Sequence, residues 1–88
     1  VLVLFTLPSA QADTSRLGVT IPRRVGNAVT RNRWKRWIRE SFRTQQNAIP
    51  QGYDYLVRPK KGAEPNWEAI QRSVPRLANK AVKRVSKP

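Results

Sequence analysis

The sequence predicts an α+β domain in which helices pack on a small mixed β-sheet. Three observations carry that expectation. Three short apolar segments are bounded by Pro and Gly, two longer segments repeat their apolar residues at helical spacing, and the order is β-β-α-β-α. At 88 residues the chain is one small domain or a piece of one. The domain is expected over residues 1–79, with a basic tail over residues 80–88.

Val1 to Leu7 is rich in β-branched and aromatic side chains and is broken by Pro8-Ser9, so it reads as a strand followed by a polar loop over residues 8–15. The same run, with Ala10-Gln11-Ala12 after it, is also similar to the end of a secretory signal peptide, though it lacks the basic n-region and its apolar stretch is short. The strand is the preferred reading. In the second strand Leu17, Val19 and Ile21 alternate onto one face, and Pro22 closes it. The short loop between the two strands predicts that they pair antiparallel.

Gly26 allows a sharp entry into a helix and Asn27 is a good N-cap for it. At helical spacing Thr30, Trp34, Trp37, Ile38, Ser41 and Phe42 share one side. Asn32, Arg33, Lys35, Arg36, Arg39 and Arg43 occupy the other, with Glu40 among them, and Arg31 lies at the border in the first turn. This helix should end between Arg43 and Gln46, before a turn marked by Pro50 and Gly52. Tyr53 to Arg58 is the third strand, ended by Pro59, and Lys60 to Ala63 is a basic turn. Asn66 caps, or Pro65 opens, a second helix carrying Trp67, Ile70, Val74, Leu77, Ala78 and Ala81 on one face. Pro75 removes a backbone donor and should kink or shorten that helix, and the basic tail from Lys80 to Pro88 should fray. A strand, a helix and a strand in succession default to a right-handed crossover.

Composition narrows the chemistry. Eighteen Lys and Arg against five Asp and Glu give a formal charge of +13 and a pI near 11.7. Self-repulsion at that charge weakens a free fold, and a polyanionic partner relieves it. With neither Cys nor His in the sequence, disulfides, Cys/His metal sites, Cys nucleophiles and His acid–base catalysis are excluded. Asp13, Glu40, Asp54, Glu64 and Glu68 show no paired-carboxylate spacing, so side-chain catalysis is not expected. The absence of Cys agrees with a cytoplasmic protein, and no segment is long and apolar enough to span a membrane.

Between Arg23 and Arg43 eight cations (Arg23, Arg24, Arg31, Arg33, Lys35, Arg36, Arg39, Arg43) face a single acid, Glu40. A solvated helix face ordinarily mixes signs through pairs at i,i+4. This one does not, and nucleic acid is the expected partner, with Arg adding bidentate phosphate contacts. Composition does not separate RNA from DNA, but a helix-turn-helix reader carries a helix before its recognition helix, and here that segment reads as a strand. DNA is therefore not expected. Phe5, Tyr53 and Tyr55 are candidates to stack single-stranded bases on the sheet, or to be ordinary strand residues. Trp34 and Trp37 are expected in the core. Two readings fit these features: a ribosomal-type RNA-binding protein, and a secreted cationic peptide acting on membranes, which would need a free apolar helix face.

The run from Arg16 to Arg43, with Arg23-Arg24-Val25-Gly26-Asn27 leading into Arg31-Asn32-Arg33-Trp34-Lys35-Arg36-Trp37-Ile38-Arg39-Glu40-Ser41-Phe42-Arg43, closely resembles the RNR motif of the protein subunit of bacterial ribonuclease P. Gly52-Tyr53-Asp54 and Arg58 to Ala63 are also similar, so the resemblance covers nearly the whole chain. It implies a ribosomal protein S5 domain 2-like fold with a left-handed βαβ crossover through the basic helix, against the default hand. It also implies that the family's first helix and first strand have no counterpart here, because Val1 to Leu7 looks like its second strand. In the family a large RNA is the catalyst and removes the 5′ leader of precursor tRNA with Mg²⁺, held mainly by RNA and substrate. By resemblance Arg23, Arg24, Asn27, Arg31, Asn32, Arg33, Lys35, Arg36 and Arg39 contact the RNA subunit, Phe5, Arg58 and Lys61 contact the leader, and no side chain is catalytic or binds metal. Two departures stand out. Trp34 and Trp37 occupy positions more usually aliphatic, and Arg23-Arg24 replaces a common lysine pair, keeping charge but changing hydrogen-bond geometry.

Overall fold

The computed structural model describes residues 1–9 and 15–86; residues 10–14 and 87–88, which include the signal-like residues 10–12 and the end of the expected tail, lie outside the described residues. In chain order the elements are β1 (Leu2–Pro8), β2 (Leu17–Val19), a 3-10 turn (Arg23–Val25), α1 (Ala28–Thr44), a second 3-10 turn (Gln46–Ala48), β3 (Tyr53–Pro59) and α2 (Trp67–Ser86). The α+β class is as the sequence predicts.

The strand pairing is not. The sheet order is β1-β3-β2. β1 runs antiparallel to β3 from Leu2↔Pro59 to Pro8↔Tyr53, and β2 runs parallel to β3 from Leu17↔Tyr55 to Val19↔Val57. The two N-terminal strands, expected to pair with each other, are separated by β3. The reason lies in β3 itself: Tyr55, Val57 and Pro59 are buried, and a strand whose residues are sealed from water satisfies its backbone groups best with a neighbour on each side. Tyr55 N–H donates to the Arg16 carbonyl at 2.8 Å and Thr20 N–H to the Val57 carbonyl at 3.0 Å, extending the β2 ladder past both its ends. The connection from β2 to β3 is therefore a crossover through α1.

Among the described residues the buried apolar side chains form one cluster on one face of the sheet. Leu2, Tyr55 and Val57 come from the strands, Trp34, Ile38 and Phe42 from α1, Ile70, Val74 and Ala78 from α2, and Ile49 from the connection. Phe42 meets Tyr55 edge-to-face with ring centres 5.6 Å apart, and Tyr55 Oη donates to the Pro50 carbonyl at 2.6 Å. Strand alternation sends Val3, Phe5, Leu7, Leu56 and Arg58 to the opposite face, which neither helix covers.

Both expected caps form. Thr30 N–H donates to Asn27 Oδ1 at 2.9 Å, and Ala69 N–H to Asn66 Oδ1 at 2.9 Å. Gly26 has an extended backbone; its use is room, since a Cβ there would lie 3.0 Å from Thr30 Cβ and Cγ2. Gly62, in the basic turn, has φ of 80°, which favours a residue without a side chain.

Three local expectations need correction. Pro75 does not shorten α2, which continues on both sides of it. The carbonyl left without its helical donor is that of Gln71, four residues back, and Gln45 Nε2 donates to it from the end of α1 at 2.8 Å. The frayed tail from Lys80 is also absent among the described residues: α2 runs to Ser86, because Val82, one turn beyond Ala78, continues the apolar stripe and packs against the core. Finally, Trp34 is fully buried, whereas Trp37 is only half-buried at the edge of the core.

Candidate nucleic-acid interface

With Trp34, Ile38 and Phe42 turned into the core, helix geometry places the arginines of α1 outward. Asn32, Arg33, Lys35, Arg36 and Arg39 line one open concavity of about 650 Å³ together with Val29, Glu40 and Arg43. Arg33, Arg36 and Arg39 are exposed and Lys35 is half-buried along its stem. The first turn of α1 holds no acid, so no side chain there offsets the positive end of the helix dipole.

Two ion pairs occur among the described residues. Arg43 donates to Glu40, through Nε at 3.3 Å and through Nη2, and Arg16 Nη2 donates to Asp54 at 3.1 Å. Hydrogen bonding from Arg43 holds the Glu40 carboxyl below the usual carboxylate range, and that from Arg16 does the same for Asp54. Glu40 is thus turned to Arg43, and Arg33, Lys35, Arg36 and Arg39 face the concavity without an acid partner.

The remaining predicted contacts divide into three groups. Arg23 and Arg24 are exposed on the 3-10 turn before α1, a single turn where the sequence reading ends its strand at Ile21. Arg24 lines a second cleft of about 400 Å³ with Pro22, Lys60 and Lys61. Lys61, grouped by the sequence reading with Phe5 and Arg58, therefore shares a wall with Arg24. Asn27 is exposed, but its side-chain oxygen already caps α1. Arg31 is half-buried, and its Nε is buried without a hydrogen-bond partner.

On the uncovered face of the sheet, Phe5 is 52% exposed, Leu7 71% and Leu56 44%. The Arg58 guanidinium lies over the Phe5 ring, 6.0 Å from its centre. Tyr55, a stacking candidate from sequence, is instead a core residue, and Tyr53 is half-buried against the core. No three His, Cys, Asp or Glu side chains converge among the described residues. Of the described acids, Asp54 is held by Arg16 and Glu40 by Arg43.

The family model described as Ribonuclease P matches residues 1–82. The chain belongs to the ribonuclease P protein family. A ribonuclease P protein component of Petrotoga mobilis is 38% identical over 85 residues, covering 97% of this chain and 70% of the relative. One of Thermotoga petrophila is 43% identical over 58 residues, covering 66% of this chain and 50% of the relative. The structure of the RNase P protein from Thermotoga maritima superposes with a TM-score of 0.81 at 31% identity, over 90% of this chain and 76% of that one. By sequence, the chain spans about half the length of the Thermotoga petrophila relative.

For a ribonuclease P protein, then, the RNR motif is a 3-10 turn, a capped helix start and the outer face of α1. Sequence reasoning overlooked three contributors to these surfaces. Lys60 shares the Arg24 cleft, and the doubled lysine before Gly62 was an available signal. Leu7 and Leu56 extend the Phe5 face; period-2 alternation marks them only once the strand partners are known.

Proposed function

We propose that this chain acts as the protein subunit of ribonuclease P, binding a catalytic RNA and the 5′ leader of precursor tRNA so that the leader is removed. The observation that carries the reading is the outward face of α1, where Arg33, Lys35, Arg36 and Arg39 line one concavity without acid partners, in a chain of this family. Arg and Lys so arranged neutralise successive phosphates, and a rigid helix fixes their spacing. Arg23, Arg24, Asn27, Arg31 and Asn32 complete the RNA-subunit contacts in this reading. Asn27 does so while capping the helix.

The leader lies on the uncovered sheet face, where Phe5 offers a ring for an unpaired base and Arg58 beside it offers a cation. Lys61 reaches phosphates from the rim it shares with Arg24. The chain's own role is to bind, orient and neutralise. Hydrolysis belongs to the RNA, and Mg²⁺ to RNA and substrate, consistent with the acids here being scattered or engaged by arginine. The cytoplasm, where precursor tRNA is matured, is the proposed location. The membrane-active alternative finds no support in α1, whose apolar side packs into the core.

The deciding measurement is cleavage of a precursor tRNA by a bacterial ribonuclease P RNA at low Mg²⁺, with and without this chain. Stimulated cleavage at the mature 5′ end is expected. Tight binding of the RNA without stimulation would limit the role to RNA binding, and absence of both would overturn the reading. Arg33→Ala should weaken binding of that RNA while leaving the fold intact, since Arg33 is exposed.

A further inference from the structure

Trp37 and Trp67 are only partly covered by the rest of the protein. The buried cluster includes Trp34, Ile38, Phe42, Ile70, Val74 and Ala78; Trp37 packs against it half-buried, and Trp67 is half-buried without joining it. Trp37 lies on the seam of α1 between the apolar and basic faces, and Trp67 is the first residue of α2. Their rings meet edge-to-face, 6.2 Å between centres and 67° between planes. Together with Arg36 and Glu40 they wall a concavity of about 300 Å³. Arg36 and Glu40 also line the basic groove, so the aromatic recess opens beside the proposed phosphate track. The Arg33 guanidinium lies 5.7 Å from the centre of the Trp37 ring.

We propose that this recess receives one unstacked nucleobase of a bound RNA, which stacks on Trp67 and meets Trp37 edge-on, while Arg36 at the rim holds an adjoining phosphate. The inference rests on the RNA-binding reading of α1 and extends it. Aromatic faces beside a cationic track form the usual platform for single-stranded nucleic acid, since every base has a π-face while the backbone carries the charge. Arg36 is shared by the recess and the basic groove, so a base seated in the recess would keep its own backbone on the cationic track. Glu40 does not oppose an incoming phosphate, because its carboxylate is engaged by Arg43. Phe5 and Arg58 form a separate aromatic–cation pair on the sheet, so the chain would grip unpaired bases at two places.

The test compares an eight-nucleotide single strand, r(A)8, with an abasic strand of the same length and charge, read by tryptophan emission and by affinity at several salt concentrations. Quenching by r(A)8 but not by the abasic strand is expected. Trp67→Leu should lower the affinity for r(A)8 by about five- to a hundredfold, with the salt slope unchanged because no phosphate contact is removed. Its affinity for the abasic strand should stay at the wild-type value. If Trp67→Leu binds r(A)8 as the unaltered chain does, while Arg36→Ala binds it more weakly, the base recess is overturned and the basic-face reading survives. If neither r(A)8 nor a bacterial ribonuclease P RNA binds the unaltered chain, both readings fall. Should Trp67→Leu lose its circular-dichroism signature of folding, the two strands compared on the unaltered chain still decide: equal affinity and equal quenching would overturn the proposal.

Discussion

Trp34 and Trp37 sit three positions apart on α1 and should respond differently to truncation. Trp34 is fully buried, and Trp34→Ala should destabilise the domain by about 3–5 kcal/mol in urea denaturation, the transfer and cavity cost of a large core ring. Trp37→Ala should cost less, about 1–2 kcal/mol, because part of its ring remains in water when folded. The Trp34 indole N–H is buried without a partner, so its contribution is one of shape and apolar area. Tyr55 offers a second test. Burial, with Tyr53 as a lesser cause, pushes its phenol up to about 12, above the ordinary value of about 10. Between those values the folded chain keeps a proton that the unfolded chain has lost, so stability should fall as pH rises from about 10 to about 12. Tyr55→Phe should flatten that fall in a thermal-midpoint series; an unchanged slope would remove Tyr55 as its cause.

Among the elements, α2 and the end of α1 are coupled through one side chain. Pro75 leaves the Gln71 carbonyl without its helical donor, and Gln45 Nε2 donates to it at 2.8 Å while also donating to Ser41 Oγ at 2.8 Å. Gln45→Leu should cost about 1–3 kcal/mol by leaving these partly buried acceptors unpaired. In a Pro75→Ala background the backbone N–H of residue 75 returns to Gln71, so the same Gln45→Leu change should cost less. A double-mutant cycle by chemical denaturation measures the difference, and strictly additive effects would show that Gln45 does not compensate for the proline.

At the scale of the whole molecule charge dominates. A domain this small buries little surface for its length, and a formal +13 opposes compaction. Added polyanion should therefore raise the thermal midpoint, and added salt should cancel that gain. If Arg23, Arg24, Arg33, Lys35, Arg36 and Arg39 each neutralise a phosphate, affinity for ribonuclease P RNA should fall by roughly a thousandfold between 50 and 200 mM salt. Arg36→Ala should reduce the salt slope by about 1. A slope near zero would remove phosphate neutralisation as the basis of binding.

What the sequence determined by itself is what is local or periodic. Asn27 and Asn66 cap their helices through bonds spanning three residues, and the apolar and basic faces of α1 follow from helical spacing alone. The charge imbalance, on which the proposal of a polyanionic partner rests, is a property of composition. The RNR run from Arg23 to Arg43 made the family legible before any contact was known. Tertiary structure decided whatever depends on a distant neighbour. β3 separates β1 from β2 because burial of Tyr55 and Val57 calls for a backbone partner on each edge, and sequence proximity carries no such information. Pro75 stays within a helix because Gln45, thirty positions away, supplies the missing donor. Lys61 joins Arg24, and Trp37 joins Trp67, only because the turn after β3 returns to the 3-10 turn before α1 and the start of α2 returns to α1. Local chemistry selects each element and its faces; pairing, and the surfaces made where elements meet, depends on free energy shared between residues far apart in the chain.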